Sequence, residues 1–518
     1  MQEYFIEISK YLTAALLIMY TIASFTAFLG TPVLKKVMHV IQSVLVFAVQ
    51  IVMFAHMAFV SKGMEYFFMY AFVQVLLLAM LILVPLIYER ADRLLLNHMC
   101  MLTGIGLGML SRLNFKKAER QYVIALISLI IALFIPWLLE RIRIWKRFTW
   151  LYGLTGIVLL SAVLIWGSVT HGSKISFTVM IPVINQAFSF QPSEFVKIIY
   201  LFFLAGALRD KPKLSRIMLS AAFAGLYVII LVFARDLGGA LIFFVGYVFL
   251  VFGATKNYLY LLAGAVGGSG AAYVAYMLFD HVKSRVLAWQ DPWAYIDTKG
   301  YAITQSLFAI GSGSWFGMGL LEGNPSSIPY VEEDFVFSAI CEEMGIICGC
   351  CLLLIMICCF LNIMKIAIRV RDSFYQLIAY GIGVIYIFQI FLTVGGGIKL
   401  IPLTGVTLPF ISYGGSSVMA TIFMFFIVQG IAVRLQKEQS EDLQQSAQSI
   451  QEEEDRLFQE ERYRDESQRR EGGRIDDRRI SSERGTREQD RRPWGAQERC
   501  TRTRDAREQG AERRQPRS

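Results

Sequence analysis

YFFMYAFVQVLLLAMLILVPLIY, residues 66–88, runs for 23 residues without a charged side chain. Wound as a helix at about 1.5 Å per residue it reaches about 35 Å, enough to cross a hydrocarbon core roughly 30 Å thick. On either side of it, comparable apolar runs recur from Tyr11 to Val433, near 11–30, 38–59, 95–112, 122–140, 148–167, 195–208, 215–234, 238–253, 257–278, 335–362, 375–395 and 405–433. With 66–88 these make thirteen expected spans. The weakest are 95–112, which carries Asn97, His98 and several glycines, and 195–208, which is short. The expected fold class is an all-α integral membrane protein.

Composition points the same way. Only 18% of the 518 residues are charged, and much of that charge lies in the last eighty or so, which leaves too little polar surface for a soluble protein of this size. The formal net charge of +9 does not mark a nucleic-acid binder, because the cations sit in short clusters between apolar runs: Lys35–Lys36, Arg141–Arg147, Arg209–Arg216 and Lys365–Arg371. Short loops rich in Lys and Arg stay cytoplasmic. That rule puts the amino terminus outside, the loops 31–37, 89–94, 141–147, 209–214, 254–256 and 363–374 inside, and the tail inside. Lys116, Lys117 and Arg120 fall outside and oppose the scheme. Met1–Lys10 lacks the basic start of a secretory signal and the run after it is of full spanning length, so the first helix is expected to be retained. Cys341, Cys348, Cys350, Cys351, Cys358 and Cys359 lie in or beside one apolar run, with no histidine nearby and no regular ligand spacing, and read as packing residues.

The topology leaves two long segments outside, 168–194 and 279–334. A loop of more than fifty residues among short connections is usually functional. Ionisable groups at the edges of spans are costly and tend to line a cavity or pair with each other, and four clusters qualify. Glu194 and Lys197, behind Gln191, Pro192 and Ser193, are three apart on one helical face, and a simple ion pair at a helix end is the plainer reading of them. Asp236 joins two spans through the tight turn that Gly238 and Gly239 permit. The long loop brings Arg285, Trp289, Asp291, Asp297, Lys299 and Gln305 together with aromatic rings and, at its end, Asp334, a mixture suited to a sugar. Finally, Lys399, Pro402, Pro409, Ser412, Gly414, Gly415 and Ser416 break a helix at membrane depth, which is tolerated only against protein or a water-filled cavity. Transporters use such breaks too.

QPSEFVK (191–197), DLGGA (236–240), GYAITQSLFAIGSG (300–313), DFVFSAICEEMG (334–345) and PLTGVTLPFISYGGSS (402–417) occur in this order. With these motifs the chain resembles the SEDS (shape, elongation, division, sporulation) family of FtsW, RodA and SpoVE over roughly residues 95–433. The resemblance implies a ten-helix membrane core in the bacterial cytoplasmic membrane that polymerises lipid II, its undecaprenyl-pyrophosphate-linked substrate, into glycan beside a class B penicillin-binding protein. It divides the chain into extra amino-terminal helices (1–90), the core (91–433, with the outer loop 279–334) and a charged cytoplasmic tail (434–518). Within the tail, 436–465 can form a helix through Glu and Arg pairs, and 466–518 reads as disordered.

The resemblance also implies an essential aspartate shortly before the Gly300–Tyr301 pair, acting as the base. Aligned without gaps, that position is Tyr295, a departure from the family. Asp297, two residues on, is the expected catalytic carboxylate, with Asp291 as the alternative. Glu194, Lys197, Asp236, Arg285, Gln305, Asp334, Lys399, Ser412 and Ser416 are the expected substrate-binding residues. No cofactor is required by the sequence. Glu194, Asp236, Asp297 and Asp334 are acids able to help hold a divalent cation, and nothing in their spacing demands one. A lipid II flippase and a noncatalytic scaffold for envelope proteins are the competing readings.

Overall fold

The structure is a computed structural model that describes residues 2–142, 145–170, 173–181 and 186–483. Its first helices are α1 (Gln2–Leu29), α2 (Pro32–Ser61), α3 (Met64–Ile87), α4 (Arg93–Leu113), α5 (Phe115–Ala132), α6 (Phe134–Arg141) and α7 (Thr149–Trp166). Three short antiparallel strands follow, β1 (Ser168–Thr170), β2 (Ser173–Ile181) and β3 (Gln186–Phe190), with Phe177 opposite Phe190. Then come α8 (Pro192–Leu208), α9 (Leu214–Phe233), α10 (Leu237–Thr255), α11 (Leu259–Leu278) and α12 (Asp280–Gln290). The chain continues through α13 (Tyr301–Gly313), α14 (Val336–Met344), α15 (Ile346–Arg369), α16 (Ser373–Gly397) and α17 (Gly415–Glu483).

Twelve helices are long and apolar enough to cross a membrane, counted among the described residues. The remaining expected span falls on α8, which has 17 residues. The chain is thus a multi-pass membrane protein with an essentially helical fold. The strands occupy the segment 168–194, expected to lie outside, where the β-branched and aromatic residues of ISFTVMI favour an extended chain. Two expected spans are broken. The 335–362 run divides at Gly345, whose φ of +89° suits glycine and whose missing Cβ lets the backbone of Trp315 and Gly317 lie against it. The 405–433 run becomes helical only at Gly415.

The faint signal of α4 has a physical cause. The helix is buried in protein along its length from Leu94 to Ser111, whereas only about a third of α3 is buried. A helix surrounded by protein can carry polar groups if they find partners. Asn97 donates to the His39 carbonyl (3.0 Å) and to Gln42 (3.1 Å), and Tyr20 meets His98 at 3.1 Å. The absent side chain of Gly106 admits the backbone of Phe410 and Ile411.

The amino-terminal helices are therefore packed into the core. Buried His56 on α2 donates from Nε2 to the Leu320 carbonyl (2.7 Å) and accepts at Nδ1 from Ser9 of α1 (2.5 Å). Tyr11 packs edge-on against Phe316 in the long loop 279–334. Residues 1–440 form one compact unit. Cys348, Cys351, Cys358 and Cys359 are buried free thiols of α15. In the tail, α17 continues to Glu483, past the residue-465 limit expected, and residues 484–518 lie outside the described residues.

Candidate functional site

The segment 398–414, between α16 and α17, forms one wall of the site. Its backbone carbonyls have no helix to bond to, and side chains from surrounding helices take them up one by one. Arg285 of α12 donates to Thr404 (3.1 Å) and Trp289 to Lys399 (3.1 Å). Thr393 and Gln389 of α16 donate to Val406 (2.7 Å) and Thr407 (2.9 Å). Gln121 of α5 donates to Ser412 (3.0 Å) and accepts from the Gly414 N–H (3.0 Å). Each bond satisfies a polar group that would cost several kcal/mol if left bare in hydrocarbon. Gly405, at φ +74°, and Lys399, at φ +63°, make the bends.

Against this wall stand the charges. Glu194 and Lys197, at the start of α8, pair at 2.7 Å, and buried Lys197 also reaches Gln389 (3.3 Å). Asp236 caps α10 through the Gly239 N–H (2.8 Å). Burial pushes its pKa above the ordinary carboxylate range and nearby Glu194 adds to this, while the Gly239 N–H, Lys197 and Arg285 pull it back. Asp334 is raised further, to about 7, by burial first and by its neighbour Glu333 second, with Arg285 opposing. The half-buried Arg285 guanidinium thus acts on both Asp236 and Asp334 and also holds Thr404. Five residues, four of them from three separate motifs and Arg285 from the long loop, form one electrostatic cluster: Glu194, Lys197, Asp236, Arg285 and Asp334. The Thr404 hydroxyl is buried with no partner among the described residues.

The expected catalytic carboxylates stand apart from that cluster. The loop 292–300 is closed at its base, where the Gly300 N–H donates to the Tyr295 carbonyl (2.8 Å) and the absent Gly300 side chain admits Pro292. Asp297 lies exposed on this loop, and its carboxylate has no hydrogen bond or ion pair among the described residues. Asp291 is also exposed, but its Oδ1 accepts the Ala294 N–H (3.1 Å). Tyr295 is 38% exposed on the same loop.

The other expected residues divide by their bonding. Ser412 and Ser416 are committed to the protein, accepting from Leu408 N–H and Gln191 N–H, both at 2.9 Å. Half-buried Gln305 and Lys399 have side chains without a hydrogen bond or ion pair among the described residues. Among the described residues no group of His, Cys, Asp and Glu is placed to hold a metal ion.

Sequence reading missed the pairs that fix the loop from behind. Arg112 meets Glu343 at 2.7 Å, and Lys117 meets Glu332 and Glu333. Burial pushes Glu332 up, but the adjacent Lys117 outweighs it and holds the carboxyl below its usual range. These acids also account for Lys117, whose charge the loop assignment left stranded. A polar Gln in an apolar run, as at 121 and 389, was the available signal for the wall's donors.

Asp334 supplies a pH test. Its folded pKa lies above the unfolded value, so between about pH 4 and pH 7 the native state keeps a proton that the unfolded chain has released. Stability from this group is fully present below about pH 4 and is lost as the pH rises from there to about 7. The thermal unfolding temperature of the wild-type chain is expected to fall between about pH 4 and pH 7, and that of Asp334→Asn to fall less. Equal slopes would contradict the assignment.

Comparison with known proteins places these features. The sequence model for FtsW, RodA and SpoVE, described as a cell cycle protein, matches residues 92–437. The peptidoglycan glycosyltransferase RodA of Mycobacterium tuberculosis (strain ATCC 25618 / H37Rv) is 32% identical over 368 residues, covering 66% of this chain and 78% of that one. The probable peptidoglycan glycosyltransferase FtsW of Aliivibrio salmonicida is 32% identical over 322 residues, covering 59% of this chain and 76% of that one. A chain of a peptidoglycan synthase complex that coordinates polymerization and crosslinking shares the fold, with a TM-score of 0.56 and 24% identity, over 67% of this chain and 98% of that one.

Proposed function

This chain belongs to the FtsW, RodA and SpoVE family, and on that premise we propose that it is a peptidoglycan glycosyltransferase that polymerises lipid II at the outer face of the cytoplasmic membrane. The observation that supports the reading on this chain's own residues is the cluster of Lys197 and Arg285 with Glu194, Asp236 and Asp334, together with an exposed, unengaged carboxylate, Asp297, on the loop 292–300.

The chemistry divides between the two parts. The 4-hydroxyl of an N-acetylglucosamine attacks the anomeric carbon of a lipid-linked muramyl sugar, forming the glycosidic C–O bond. The bond from that carbon to undecaprenyl pyrophosphate breaks, and the pyrophosphate leaves with the electron pair. Asp297 takes the hydroxyl proton, a role typically worth about 10²–10⁴-fold. Lys197, Arg285 and Lys399 stabilise the charge that develops on the departing pyrophosphate. A class B penicillin-binding protein crosslinks the product. The loop 279–334 lies outside and the tail inside.

A flippase would share the broken segment 398–414 and the buried charges, so the test is one of product. Labelled lipid II given to the purified chain and its crosslinking partner in liposomes is expected to yield polymer. Transbilayer movement without polymer would replace this reading with a flippase, and neither product would leave a scaffold.

A further inference from the structure

At the opposite end of α15 from the outer loop, Lys35 and His39 of α2 and Lys365 and Arg369 of α15 line a cavity of about 120 Å³, together with Asp92 and Asn362. The 24 residues of α15 separate its two ends by about 36 Å, so this cavity opens at the other membrane face.

Its charge is unbalanced. Three basic side chains face one carboxylate, and that carboxylate is already engaged. Asp92 Oδ1 accepts the Leu95 N–H and the Asn362 side-chain amide, each at 2.8 Å. Lys365 donates to the Phe28 carbonyl (2.9 Å) and lies 4.6 Å from the centre of the Phe28 ring, with Lys35 and Arg369 close enough to repel it. Neither Lys35 nor Arg369 has an ion pair among the described residues. Long cationic side chains at helix ends ordinarily extend apart into water. Here they converge from α2 and α15 onto one cavity.

We propose that this cavity binds a phosphate group, and that in the membrane the occupant is the head group of an anionic phospholipid from the leaflet opposite the glycosyl-transfer site. Basic pockets between spanning helices are suited to such head groups. Asn362 and His39 add hydrogen-bonding groups beside the charges, and α2 and α15 are then joined by a lipid as well as by side chains. The glycosyl-transfer reaction makes no use of these residues.

Native mass spectrometry of the full chain, equilibrated with equal amounts of phosphatidylglycerol and phosphatidylcholine, tests this. Lys35→Gln/Arg369→Gln is expected to retain one fewer phosphatidylglycerol per chain than wild type, with phosphatidylcholine unchanged. Lys35→Arg/Arg369→Lys is expected to keep the wild-type number, and lipid II polymerisation by both variants shows that they are folded. Equal phosphatidylglycerol counts in wild type and the glutamine variant would overturn the proposal. Release of that one lipid by millimolar inorganic phosphate would overturn the lipid as occupant and leave a soluble phosphate in its place.

Discussion

Asp297→Asn is expected to slow lipid II polymerisation by about 10²–10⁴-fold with no change in folding. The size follows from removal of a proton acceptor, and the lack of a structural penalty follows from exposure. The Asp297 carboxylate is in solvent and engaged by nothing among the described residues, so the substitution should shift stability by less than about 0.5 kcal/mol. Asp291→Asn preserves an oxygen for the Ala294 N–H and is expected to stay active. Because Tyr295 shares the loop closed at Pro292 and Gly300, Tyr295→Asp in the Asp297→Asn chain should restore part of the rate. Polymer formation and melting temperature, measured on the same preparations, check all three. Full activity in Asp297→Asn with an inactive Asp291→Asn would move the role to Asp291.

Arg285→Met carries the second large effect. The guanidinium acts on Asp236 and Asp334 and binds the Thr404 carbonyl. In the proposed mechanism its loss removes a cation that stabilises the departing pyrophosphate, for which a fall in kcat of about 10²–10³ is expected. It also leaves a carbonyl unpaired, at a cost of about 1–3 kcal/mol in stability. Arg285→Lys keeps the charge and loses the planar fork, so it should recover the electrostatic share of the rate more than the stability. A wild-type rate in Arg285→Met would remove this cluster from the reaction.

The sequence made the spans legible because hydrocarbon imposes a simple length and polarity rule, and it failed where protein replaces lipid. The helix α4 looked weak because its surroundings accept Asn97 and His98. The break at Gly345 was hidden inside one apolar run, since it depends on the backbone of Trp315 and Gly317 approaching from the long loop. Among the site residues, local motifs marked Glu194, Asp236 and Asp334, and helical spacing gave the Glu194–Lys197 pair. What they could not convey is Arg285 joining groups up to 119 residues away, or the commitment of Ser412 and Ser416 to backbone N–H groups. Both depend on long-range packing. The charge alternation that suggested a helix to residue 465 carries no stop signal there, and α17 runs on to Glu483.

The burial of α4 has a practical corollary for anyone seeking a minimal version of this molecule. Trimming the chain to the portion its relatives share would take away the Asn97 and His98 partners contributed by Tyr20, His39 and Gln42. An amide and an imidazole would then face acyl chains, each a liability of several kcal/mol. What looks like an appendage by homology is, thermodynamically, part of the foundation, and shortened forms should be sought at the tail instead.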